Sequence, residues 1–253
     1  MWLLTRKTKI MRLKTLALAV AIAASGPVLA KRVNITAFSP ASTDVRITFS
    51  GGDALRSLQA SASRPGNGTY EVEAGQLSGF LDGESFLTFC TEALATVAFG
   101  DPNTPFSGPE YALLPAPPEF GAKRTGDISR LFTAAYASVV DVSSAAAFQA
   151  AVWEIIYETK PPAGTFPSYN LTDGSFLGEA VNGADAAAFN NINGVLASLG
   201  DYGRSYRVEV LVNESFQDYL SITQVPEPGT YALLAAGLGV IGFVARRRQS
   251  GRG

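Results

Sequence analysis

The sequence predicts a mixed α+β domain, with strands at both ends of the working region and an inserted segment of two or three helices. Three observations carry this expectation. Apolar and polar residues alternate from Asp44 onward, helical stripes fill the middle, and strand-like alternation returns after Ser205.

The elements follow in order. In "DVRITFS", from Asp44, alternation sends Val45, Ile47 and Phe49 to one face. "TYEVEAG" does the same with Tyr70 and Val72, leaving Glu71 and Glu73 on a solvated face. "SFLTFCTEAL", from Ser85, reads as a third strand-like stretch. "GDPNTPFSGPEYALLPAPPEFG", from Gly100 to Gly121, is too dense in proline for a central strand and is expected to be loop. In "DISRLFTAAYASVV", Ile128, Leu131, Phe132, Ala135, Tyr136 and Val139 fall on one helical stripe. A second helix, "SSAAAFQAAVWEIIYET", is expected to be capped by Ser143 and to stop before Pro161 and Pro162. A third, less sharply patterned, runs from Ala184 to Leu199. "YRVEVLVN" and "DYLSITQ" close the domain as strands.

The two ends carry addresses. Arg6, Lys7, Lys9, Arg12 and Lys14 precede the apolar "TLALAVAIAA", and "PVLA" offers a cleavage point after Ala30, so residues 1–30 read as a secretory signal peptide. Residues 225–253 combine Pro226-Glu227-Pro228, an apolar run from Tyr231 to Ala245, and Arg246, Arg247 and Arg248. The run is short beside the ~20 residues of a spanning helix, and the arginines would hold its far end on the cytoplasmic side. This tail resembles the PEP-CTERM sorting tail of bacterial exported proteins. The resemblance implies recognition of the Pro-Glu-Pro motif by an exosortase at the membrane and removal of the transmembrane helix. Delivery to the cell envelope, surface or extracellular matrix would follow. The working domain is then residues 31–224.

Removing the ends changes the charge. Nine of the twenty basic residues lie in them, which leaves eleven basic against twenty-one acidic residues between Lys31 and Val225, a net of −10. Such a surface disfavours nucleic acid as a partner. The chain has no histidine, so neither a Cys-His nor a Ser-His-Asp arrangement can be built, and zinc loses its commonest nitrogen ligand. No phosphate-cradling loop appears. No enzymatic turnover, cofactor or metal site is expected. "DGE" at Asp82 and "DGS" at Asp173 lack the full calcium-loop pattern and read as turns.

Two residues remain to be explained. Cys90 is the chain's single cysteine, in a chain addressed for export. Gln149 shares a helical face with Ala145, Val152, Trp153 and Ile156, where an unpartnered carboxamide costs about 1–3 kcal/mol. Each has a plain structural reading: a small core thiol, and an amide that bonds a loop carbonyl or reaches water. Together they resemble the Cys–Gln thioester domain of bacterial surface proteins. Phe89 precedes Cys90; Phe148 precedes Gln149; Ala150 and Ala151 intervene before Val152 and Trp153.

The resemblance implies that the Cys90 sulfur displaces ammonia from Gln149. Phe86, Phe89, Phe148, Val152 and Trp153 would shelter the resulting thioester. An amine-bearing protein or surface polymer would then be captured covalently, in adhesion. Glu92 and Glu154 are expected to be surface carboxylates. The alternatives are a non-catalytic structural protein of the extracellular matrix, or a carbohydrate-binding module, carrying the same tail.

Overall fold

The structure is a computed structural model and describes residues 30–50, 66–115, 121–159, 168–225, 236–238 and 241. The expected signal peptide, up to residue 29, lies outside these. So do Pro226, Glu227, Pro228, Arg246, Arg247 and Arg248, and most of the expected transmembrane run. Among the described residues, no helix is long and apolar enough to cross a membrane.

Among the described residues, nine antiparallel strands form two sheets. They are β1 (Ala30–Phe38), β2 (Thr43–Phe49), β3 (Gly68–Ala74), β4 (Leu77–Leu81), β5 (Glu84–Thr88), β6 (Glu110–Leu114), β7 (Phe176–Ala180), β8 (Tyr206–Val212) and β9 (Tyr219–Gln224). The larger sheet runs β5-β4-β1-β6-β8-β9 and the smaller β3-β2-β7. Immediately after β5 the chain reaches the opposite edge of the larger sheet. Cys90 forms an antiparallel bridge with Tyr219, Thr91 N donates to Asp218 O at 3.0 Å, and Leu220 N donates to Phe89 O at 3.0 Å. The six strands therefore curl toward closure as a barrel, which pairs edges that would otherwise be exposed.

Alternation sets the faces. Val45, Ile47 and Phe49 of β2 are buried, while Arg46 on the outer face lies between Glu71 of β3 and Glu179 of β7, at 2.8 and 2.9 Å. The "DGE" stretch is the β4–β5 hairpin turn: Asp82 (φ 51°) and Gly83 (φ 86°) both take the positive φ that a two-residue turn of this hand requires.

Among the described residues, three α-helices pack on the strands: α1 (Gly121–Ala135), α2 (Val142–Tyr157) and α3 (Ala186–Ala197). The expected stripe of α1 is buried at Ile128, Leu131, Phe132 and Ala135. The helix begins at Gly121, seven residues before the first residue of that stripe, Ile128, and its first turns are held by polar contacts. Thr125 Oγ1 donates to Gly121 O at 2.8 Å, and Arg124 reaches the Ile155 and Glu158 carbonyls at the end of α2.

Helix α2 is capped by Asp141 rather than Ser143. The Asp141 side chain accepts from Ser144 N, and the Ser144 hydroxyl accepts from Asp141 N, a reciprocal capping box. Ser143 instead donates its hydroxyl to Asp185. Asp141→Ala should therefore lower thermal stability and loosen the first turn of α2, read as faster amide exchange there, whereas Ser143→Ala should leave that turn protected. The Ser144 hydroxyl, and then its N–H, hold the Asp141 carboxyl below its ordinary range. This contribution is present above that range and lost as pH falls through the depressed value.

The mixed α+β class holds, with helices inserted between strands, but four strands were not expected. β1, β4 and β7 fall in stretches assigned no element. β6 overturns the reading of the proline-rich segment. "EYALL" lies between Pro109 and Pro115, which flank the strand without interrupting its ladder, and it pairs with both β1 and β8. β7 separates α2 from α3, so the helices do not form one uninterrupted insert. The carboxylates also depart from expectation: Glu92 is 5 % exposed and Glu154 1 %, so neither is a surface group.

Candidate functional site

Cys90 sits at the seam where the larger sheet closes. On an antiparallel strand, successive residues turn their main-chain groups to opposite sides. Phe89 O and Thr91 N face β9 and bond it, so the N–H and C=O of Cys90 face away. Gln149 meets them there. Cys90 N donates to Gln149 Oε1 at 2.8 Å, and Gln149 Nε2 donates to Cys90 O at 2.9 Å. The carboxamide thus replaces one residue of a neighbouring strand.

Helix α2 makes this pairing necessary. Every residue from Ala145 to Tyr157 is buried, and Gln149 is 1 % exposed. A carboxamide there, and the two main-chain groups of Cys90, would each be unsatisfied without the other. A second contact holds the same segment one layer further on: Tyr157 Oη accepts from Ala93 N at 3.0 Å. Gln149, Trp153 and Tyr157 are spaced four residues apart, so one face of α2 runs along residues 90–93.

The flanking aromatics join the two halves. Phe89 and Phe148, the neighbours of Cys90 and Gln149, have ring centroids 4.8 Å apart. Phe132 of α1 packs against both, at 6.0 and 4.9 Å. Phe89, Phe148, Val152 and Trp153 are all buried. Phe86 is half-buried on β5, opposite Gly79, and among the described residues it makes no ring contact with this stack.

Sequence reasoning missed Phe132, Tyr157 and Tyr219 as neighbours of the site. Tyr219, the bridge partner of Cys90, packs against Tyr111, with ring centroids 5.7 Å apart. The strand pattern did mark Tyr219 as part of β9, but nothing local marked which residue it would face.

Burial first, and the Glu92 charge second, push the Cys90 thiol well above the ordinary thiol range. Glu92 itself accepts the N–H of Asp218, the residue just before β9, at 3.2 Å. At neutral pH the sulfur carries its proton, so a nucleophilic step by Cys90 must pass that proton on as the new bond forms. The oxygen that would gain charge if the amide carbon were attacked is Gln149 Oε1, and it already holds the Cys90 N–H. Among the described residues, no cluster of three or more acidic, cysteine or histidine side chains is placed to hold a metal ion.

Residues 224–248 match the PEP-CTERM protein-sorting motif. The tail marks the chain as an exported protein, anchored transiently at the membrane, processed there by exosortase and passed to the cell surface. No curated protein matches the sequence. Among solved structures, the chain is similar to the N-terminal domain of the Streptococcus pyogenes pilus tip adhesin Cpa. The identity is 13 %, the match covers 80 % of this chain and 100 % of that one, and the TM-score is 0.40.

Proposed function

We propose that Cys90 and Gln149 form an internal thioester through which this exported protein attaches covalently to amines on a partner surface. One observation carries the reading: the single cysteine and a buried glutamine, 59 residues apart in sequence, meet through two hydrogen bonds in a shelter of aromatic rings.

The step balances without a cofactor. The Cys90 Sγ–Cδ bond to Gln149 forms, the Cδ–Nε2 bond breaks, and the thiol proton leaves with the nitrogen as ammonia. Attack on an amide carbon is slow in water. Holding the reactants in place is worth on the order of 7–11 kcal/mol of the barrier, and the Cys90 N–H adds a donor where the oxyanion develops. An amine from a partner then attacks the same carbon. A new C–N bond forms, the C–S bond breaks, and the amine proton returns to sulfur. The substrate class is a primary amine, such as a lysine side chain on a protein or an amino group on a surface polymer.

Intact-mass measurement of the exported protein tests this. The expected mass is one ammonia below that of the processed chain. No thiol should titrate until methylamine is added, after which the thiol appears and the mass rises by one methylamine. Full mass with a titratable thiol in the unfolded chain would reject the thioester. The completeness of the Gln149 pairing favours a second reading, in which the carboxamide only seals the Cys90 edge of a structural matrix protein. That reading predicts the full mass.

A further inference from the structure

We infer that Trp153 is a hydrogen-bonding residue of the same site, its indole N–H donating to the acyl oxygen of Gln149 once the thioester exists; this rests on the thioester reading. Trp153 is 2 % exposed, and among the described residues its Nε1 has no acceptor. A buried donor left unpaired costs about 1–3 kcal/mol, so the position asks for an acceptor that arises in another chemical state.

Its location on α2 says which. Gln149 and Tyr157, four residues to either side, both bond residues of the 90–93 segment. Trp153 lies between them on that face. Helical side chains lean toward the N-terminus and cover the preceding turn, so the indole of Trp153 extends over the turn that carries Gln149. In the carboxamide state, Oε1 takes its hydrogen from Cys90 N. Joining Cδ to Sγ redirects that carbonyl, and through the tetrahedral stage its oxygen carries a full charge. An indole N–H one turn away then gains its partner as the charge appears. The aromatic bulk excludes water in either role; only the N–H distinguishes a donor from a wall.

Trp153→Phe removes that N–H and keeps an aromatic ring. The full exported chain carrying it is compared with the unaltered chain by intact mass, thermal unfolding, and the rate at which methylamine releases the thiol. With unfolding little changed, the donor role predicts methylamine cleavage slower by on the order of 10²-fold, the loss seen when one oxyanion donor is removed. Rates within twofold would overturn it.

A second measurement does not depend on the variant folding. The chain has two tryptophans, Trp2 and Trp153, so the indole N–H spectrum holds at most two resonances. The Trp153 resonance of the unaltered chain should move when methylamine opens the thioester, and an unmoved resonance would reject the inference. The two failures separate cleanly. Full mass in the unaltered chain removes the thioester and this role together. A mass deficit with an indifferent indole removes the role alone.

Discussion

Gln149→Ala is expected to give a protein with a free Cys90 thiol, no methylamine-sensitive bond, and an unreacted fold weakened by roughly 2–6 kcal/mol. The magnitude follows from counting what is left behind. The N–H and C=O of Cys90 each lose a partner within the closed seam, and an unsatisfied buried group costs about 1–3 kcal/mol. Cys90→Ala makes the informative contrast. On the thioester reading it too should abolish any adduct, yet it retains both hydrogen bonds to Gln149, because they go to main-chain atoms. Its direct cost is near 1 kcal/mol, that of a small buried apolar group.

Gln149→Glu probes the donor alone. It keeps an acceptor for the Cys90 N–H but places an oxygen against the Cys90 carbonyl, where Nε2 now donates. It should therefore be destabilising at neutral pH and recover as the carboxyl is protonated. Denaturant unfolding of the three variants, each checked by intact mass, separates chemistry from sealing. Equal destabilisation by Gln149→Ala and Cys90→Ala would mean that the carboxamide does not carry the seam.

The same contrast explains what could be read in advance. Gln149 was conspicuous because it interrupts an apolar helical face, and Cys90 because it has no sequence companion; both are local signals. The manner of their meeting is not local. It depends on Phe89 and Thr91 pairing with Leu220 and Asp218 across the seam, which turns the polar groups of Cys90 outward toward α2. β6 stayed hidden because proline is a good breaker signal only where it falls inside a ladder, and Pro109 and Pro115 stand just outside this one. The sequence points to Ser143 as the cap because Ser143 lies nearer the apolar run, whereas the reciprocal bond of Ser144 requires Asp141, three positions before it. Glu92 and Glu154 resemble surface carboxylates in any local window. Their burial is set by Asp218, 126 residues away, and by the chain at Asn170.

Glu154→Gln is expected to stabilise the protein at neutral pH, by up to roughly 3 kcal/mol, and to flatten its stability profile between about pH 4.5 and 9. Glu154 lies on α2 with one oxygen accepting Asn170 N–H at 3.1 Å and the other, among the described residues, without a partner. Burial is the largest cause pushing its carboxyl up to about 9 from an ordinary 4.5; Glu158 and Asp173 add to it, and the Asn170 bond opposes. The folded chain thus keeps a proton that the unfolded chain releases above pH 4.5. Stability is complete below that value and is lost as pH rises toward 9, by about 1.4 kcal/mol per unit.

Glutamine holds the same shape, retains an acceptor for Asn170, and does not titrate. Its advantage should therefore vanish near pH 4 and grow through pH 7. Urea unfolding of both proteins across this range measures the difference, in which the other titrating groups largely cancel. Parallel profiles would show that Glu154 is ionised in the folded state, despite a carboxyl that is 1 % exposed. A buried charge would then need a partner, and the cleft lined by Glu158, Tyr169, Asn170 and Asp173 is where that partner would have to lie.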